Sequence, residues 1–161
     1  VTDGALYRHF RSKKDILSLL IEDIEQTLIG VISQVASQDK NPIEKLENIF
    51  FAHFQYTEQR RGTSFIIINE TLNINDKSLR EKMKNVLDKY FKIIESILSQ
   101  GKHSGDFRQD LEVDVAGVVF FGMVQSTVTL WSLSGYEPAL DNGWLGKMFS
   151  VYKTGIVNGI L

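Results

Sequence analysis

Six side chains rich in hydrogen-bond donors crowd the first fourteen residues. Tyr7, Arg8, His9, Arg11, Lys13 and Lys14 offer a hydroxyl, an imidazole and four cations. Groups of this kind bind phosphate oxygens and the edges of bases. Their spacing suits a short helix, a tight corner and the start of a longer helix. Thr2 stands where an N-cap is needed, and Gly4 and Ala5 keep the helix start slim enough for a groove. Leu6 and Phe10, four apart, form one apolar anchoring stripe. Elsewhere little chemistry is on offer. His9, His53 and His103 fall on separate predicted elements, there is no cysteine, and no Ser-His-acid or metal-ligand spacing occurs. Glu70 beside Asn69 reads as a helix-surface charge. The sequence therefore leads us to expect a binding protein without catalysis, cofactor or metal.

Charge is unevenly spread along the 161 residues, whose formal net charge is −2. Residues 1–14 hold four Lys/Arg against one Asp, and the remainder 14 Lys/Arg against 19 Asp/Glu. A basic tip on an acidic body fits contact with double-stranded DNA at one end only. The lack of cysteine fits a reducing cytoplasm, the compartment expected here. The stretch 115–136 carries no formal charge over 22 residues. Its glycines, serines, threonines and Gln125 make it too polar for lipid, so a helix buried on most sides by protein is expected and no membrane partner.

Periodicity predicts an all-α chain. Ser12 with Asp15 caps a helix to about residue 36, striped by Leu17, Leu20, Ile21, Ile24, Leu28, Val31 and Val35. Asn41-Pro42 opens the next, which Gly62 breaks. A shorter helix follows through Leu72, and Asp76 caps another that ends near Gly101. A connector at 105–111 leads to a helix over about 113–133, stopped by Gly135. The last helix runs from about residue 142 to the end, with Gly155 and Gly159 placed for close approach of another backbone. Residues 1–11 are expected to be the remnant of a DNA-binding domain, and 12–161 a helical effector-binding and dimerisation domain.

The two final helices are too apolar for one chain of this size to cover, which predicts a two-fold partner and a shared four-helix bundle. Val119, Phe120, Met123, Trp131, Met148 and Tyr152 are placed near that seam. The middle helices hold an aromatic load of Phe50, Phe54, Phe65, Tyr90, Phe120 and Trp131, interspersed with the polar His53, Asn69, Gln125 and Thr127. Such a set can line a pocket for a small hydrophobic effector or simply fill a core. His53, between Phe50 and Phe54, can likewise be a core histidine or a ligand contact. A helical dimer with no small-molecule effector is the alternative reading.

The string Leu6-Tyr7-Arg8-His9-Phe10-Arg11-Ser12-Lys13-Lys14-Asp15 resembles the second half of the TetR-family helix-turn-helix motif. The resemblance implies two further helices upstream, a truncated chain, and poor operator binding by this chain alone. It implies that Thr2, Tyr7 and Lys13 grip phosphates, while Asp3, Ala5, Arg8 and His9 face bases or the groove wall. Asp3 departs from the frequent Lys or Gln. The stretches His53-Phe54, 79–83, Gly105-Asp106 and 127–131 are similar to TetR-family regulators of fatty-acid degradation, which implies a long-chain acyl-CoA effector met at the pocket mouth by Arg80, Lys82, Lys84 or Lys89. The implied function is a ligand-responsive repressor, working as a homodimer through the tilt of the helix that begins at Ser12.

Overall fold

The computed structural model describes residues 12–137 and 143–159, all of them helix, turn or loop apart from one isolated bridge between Phe107 and Val157. The first helix, α1, is built in three parts: an α segment Lys13–Ile24, a π turn Glu25–Ile29, and a second α segment Gly30–Ala36. It is followed by α2 (Pro42–Gln59), α3 (Thr63–Asn73), α4 (Lys77–Ser104), α5 (Val113–Leu133) and α6 (Trp144–Ile156). The expected caps are in place. Ser12 Oγ accepts from the Asp15 amide at 3.2 Å, Asn41 Oδ1 from Glu44 at 2.9 Å, and Asp76 Oδ1 from Leu79 at 3.0 Å. Each satisfies an amide that the helix start would leave unpaired.

Long α4 is the central post. α1, α2, α3 and α5 all pack against it, and Met83, Val86, Tyr90, Ile94 and Ile97 form its buried stripe. It runs past Gly101, where the sequence predicted its end. Gly101 is needed for a different reason: the ring of Phe107 stacks directly over it. The stop is Gly105, in the left-handed region at φ +85°, which ordinary side chains avoid.

The α1 helix changes partners along its length. Its first part packs on α3 and α4, and its last part on α2 and α4. The π turn between them was not legible in the sequence. Helix α5 is 21 residues, long and apolar enough to cross a membrane by length and composition, yet it is buried along one face only. Val115, Val118, Val119, Leu130 and Leu133 remain exposed, so the expected cover on most sides is not supplied within the protomer. Helix α6 is shorter than expected and ends at Ile156. Nothing lies within 4 Å of a Cβ built on Gly155 or Gly159, so among the described residues no backbone makes the predicted close approach.

Candidate functional site

Five helices converge on a small internal cavity of about 30 Å³. Ile24, Leu28 and Ile29 of α1 wall one side. His53 of α2, Ser64 and Ile68 of α3, Met83, Val86, Leu87 and Tyr90 of α4, and Phe121 and Gln125 of α5 complete it. Its volume is that of roughly one water molecule. His53 is buried, and its Nδ1 stands 3.4 Å from the Tyr90 hydroxyl. Burial lowers the His53 pKa to about 4, so the imidazole is neutral at pH 7. Burial also pushes the Tyr90 phenol well above its usual range, so it keeps its proton.

The structure divides the expected pocket residues. His53, Tyr90 and Gln125 line the cavity. Phe50, Phe54 and Phe120 instead belong to a filled aromatic core with Phe149 and Tyr152; Phe50 meets Phe54 at 4.8 Å and Phe120 at 5.9 Å between ring centres. Phe65 packs against the core without reaching the cavity. Asn69 is exposed and donates back to the Phe65 carbonyl at 3.1 Å. Thr127 is buried toward α6, donating to the Met123 carbonyl at 2.7 Å beside Met148 Sδ. Trp131 stacks edge-on against Tyr136. The cavity is lined mainly by aliphatic residues of the helical stripes, which look the same in sequence whether they border solid or hollow space.

The cations expected at a pocket mouth are already engaged. Lys82 binds Glu22 and also donates to Ser18 Oγ at 2.6 Å; Lys89 binds Glu25. Lys84 pairs with Asp88 at 2.6 Å, and Arg80 donates to Asn75 at 3.1 Å. The two contacts to Glu22 and Glu25 belong to a wider lacing of α1. Lys13 pairs with Glu70 at 2.5 Å, Lys14 with Asp76 at 2.6 Å, and Asp23 with Arg60. Arg60 also lies over the Tyr56 ring, and the Tyr56 hydroxyl is 3.1 Å from Thr27 Oγ1 in the π turn. Thr27 in turn donates to the Asp23 carbonyl at 2.6 Å, the back-bonding that distorts helices.

A second, open hollow of about 760 Å³ runs between α5 and α6. Val119, Met123, Met148 and Tyr152, all expected at a dimer seam, line it together with Val115 and Val151. Phe120 and Trp131 do not: both are buried on other sides of α5. Of the expected DNA-binding residues, Thr2, Asp3, Ala5, Tyr7, Arg8 and His9 lie outside the described residues. Lys13 is described, with its side chain 66% exposed despite the pair with Glu70.

A model of TetR C-terminal regions, described as "YsiA-like protein, C-terminal region", matches residues 18–142, more than three-quarters of the chain. The chain is a member of the TetR family. This TetR-family chain is 28% identical over 153 residues to the fatty acid metabolism regulator protein of Bacillus subtilis, covering 93% of itself and 78% of that relative. It is 30% identical over 138 residues to the transcriptional repressor KstR2 of Mycolicibacterium smegmatis, covering 86% of itself and 65% of the relative. Among solved structures, the regulator FadR from Bacillus subtilis in complex with stearoyl-CoA superposes with a TM-score of 0.78 at 26% identity, over 97% of this chain and 83% of that one. The ketosteroid regulator KstR2 of Mycobacterium tuberculosis superposes with a TM-score of 0.83 at 21% identity, over 99% and 80%. The chain is thus a transcriptional regulator of all-α TetR architecture.

Proposed function

We propose that this regulator represses transcription by holding operator DNA as a homodimer, and releases it when a small hydrophobic effector enters the cavity around His53. One observation carries the reading. The helix that continues the basic N-terminal motif, α1, is itself a wall of the cavity through Ile24, Leu28 and Ile29. A ligand of any useful size exceeds 30 Å³, so its entry displaces those walls. The displacement falls on a π turn, an element found at functional sites within helices, and on a helix whose buried stripe of Leu17, Ile21, Ile24, Leu28, Ile29 and Ile32 is flanked by exposed or half-exposed ion pairs to its neighbours. Operator affinity then falls to the extent that the effector binds the displaced state better.

Three assignments belong to this reading. Thr2, Tyr7 and Lys13 meet phosphates, with Asp3, Ala5, Arg8 and His9 toward the groove. The α5–α6 hollow, bordered by the exposed Val115, Val119 and Val151, receives a second copy. The regulator works in the cytoplasm on double-stranded DNA. The names of its relatives support an acyl-CoA or a steroid-like effector. The test measures operator binding by the regulator with and without stearoyl-CoA. A weakened complex supports the proposal for that effector; operator binding indifferent to stearoyl-CoA and to ketosteroids removes it.

A further inference from the structure

The lining of the internal cavity constrains what can occupy it, provided that the cavity is the effector site proposed above. None of its twelve lining residues is Asp, Glu, Lys or Arg; its polar groups are His53, Ser64, Tyr90 and Gln125. On α4, Lys82 and Lys89 are bound to Glu22 and Glu25, and Lys84 to Asp88. His53 supplies no positive charge either, because burial keeps the imidazole neutral. A carboxylate or phosphate in this space would lose its hydration without gaining a counter-ion, a large cost. A single neutral oxygen fares differently. His53 Nδ1 is the partner of the Tyr90 hydroxyl, and that hydroxyl retains its proton. With the ring proton on Nε2, Tyr90 O–H donates to Nδ1 and His53 remains a donor.

We propose that the cavity selects an uncharged apolar chain or ring system carrying one acceptor oxygen (a ketone, ester or thioester) that receives the His53 Nε2–H, and rejects the same skeleton ending in a carboxylate. Any charged head group of the effector stays outside the helical bundle.

Three probes of matched length separate the contributions: methyl decanoate, decanoate and undecane, each titrated at pH 8, where the acid is fully ionised. Binding is read by native mass spectrometry and by the rise in melting temperature. The expected order is methyl decanoate tightest, undecane about fivefold weaker for the missing hydrogen bond, and decanoate at least about tenfold weaker than the ester. His53→Leu abolishes the preference of ester over alkane, and His53→Gln, which keeps an N–H donor, retains part of it. Tyr90→Phe, which no longer fixes the proton on Nε2, reduces the same preference. Decanoate binding as tightly as its ester, or an ester preference that survives His53→Leu, overturns the inference while leaving an effector cavity standing. Failure of all three probes to bind overturns the effector site itself.

Discussion

The ring of Phe107 occupies the space that a side chain at Gly101 would need. A Cβ built there lies 2.1 Å from Phe107 Cδ2, and the Phe107 amide donates to the Gly101 carbonyl at 3.0 Å. Phe107 is fully buried, and its bridge to Val157 ties the end of α6 to the end of α4. Gly101→Ala should therefore destabilise the fold by about 1–3 kcal/mol or more, because ring and backbone have to part. Phe107→Ala should cost about 3–5 kcal/mol. The two together should cost less than their sum, since removing the ring makes room for the methyl group. Urea denaturation of the four proteins measures this, and strict additivity would show that the ring does not rest on Gly101.

Acid should loosen the protein through His53. Its pKa is 6.5 in an exposed chain and about 4 when buried here. A depressed value means that the unfolded state takes up the proton first. The stabilisation is complete above pH 6.5, declines as pH falls, and is gone below about 4. Two and a half units correspond to about 3 kcal/mol. Melting temperature between pH 7 and 4.5 should fall less steeply in His53→Leu than in the parent. Parallel curves would place His53 in contact with water.

Gly30 opens the last segment of α1, directly after the π turn, and a Cβ there would meet nothing within 4 Å. Packing does not require a glycine at this point. Gly30→Ala should raise stability by about 0.5–1 kcal/mol through helix propensity. The absence of cysteine allows spin labels at Leu19→Cys and Gln34→Cys, on either side of the turn and roughly 22 Å apart along the axis. The distance distribution should narrow in Gly30→Ala, and an unchanged width would show the turn to be rigid already.

Val119 and Val151 are 50% and 76% exposed on the two walls of the α5–α6 hollow. Val119→Glu or Val151→Glu should convert a dimer to a monomer at micromolar concentration, because a carboxylate in an apolar seam lacks a partner. Analytical ultracentrifugation reads the result directly. Unaltered sedimentation would assign the hollow to another occupant.

Much of this architecture could be read from local sequence signals. Ser12, Asn41 and Asp76 announced three helix starts, because a capping side chain acts on amides only two or three residues away. The apolar run of α5 and the half-apolar α6 announced an uncovered face. What failed was long-range. Gly101 looked like a stop because its contact with Phe107 depends on a loop folding back. Phe50, Phe54 and Phe120 looked like pocket walls because aromatic composition is indifferent to whether rings meet one another or a void. Lys82 and Lys89 looked available because their partners, Glu22 and Glu25, lie 60 and 64 residues earlier.

The π turn at Glu25–Ile29 has a consequence for chain length. Such a turn holds one residue more than the α-helix it interrupts, so the surplus is stored locally and the faces before and after it keep their register. A one-residue deletion in most helices swings everything on one side through about 100° and turns the buried stripe outward. Here the loss of the exposed Gln26 would let the coil tighten to ordinary helix, with Ile21 and Ile32 still facing inward. The segment leading to the basic motif can thus shorten by one residue without being re-aimed.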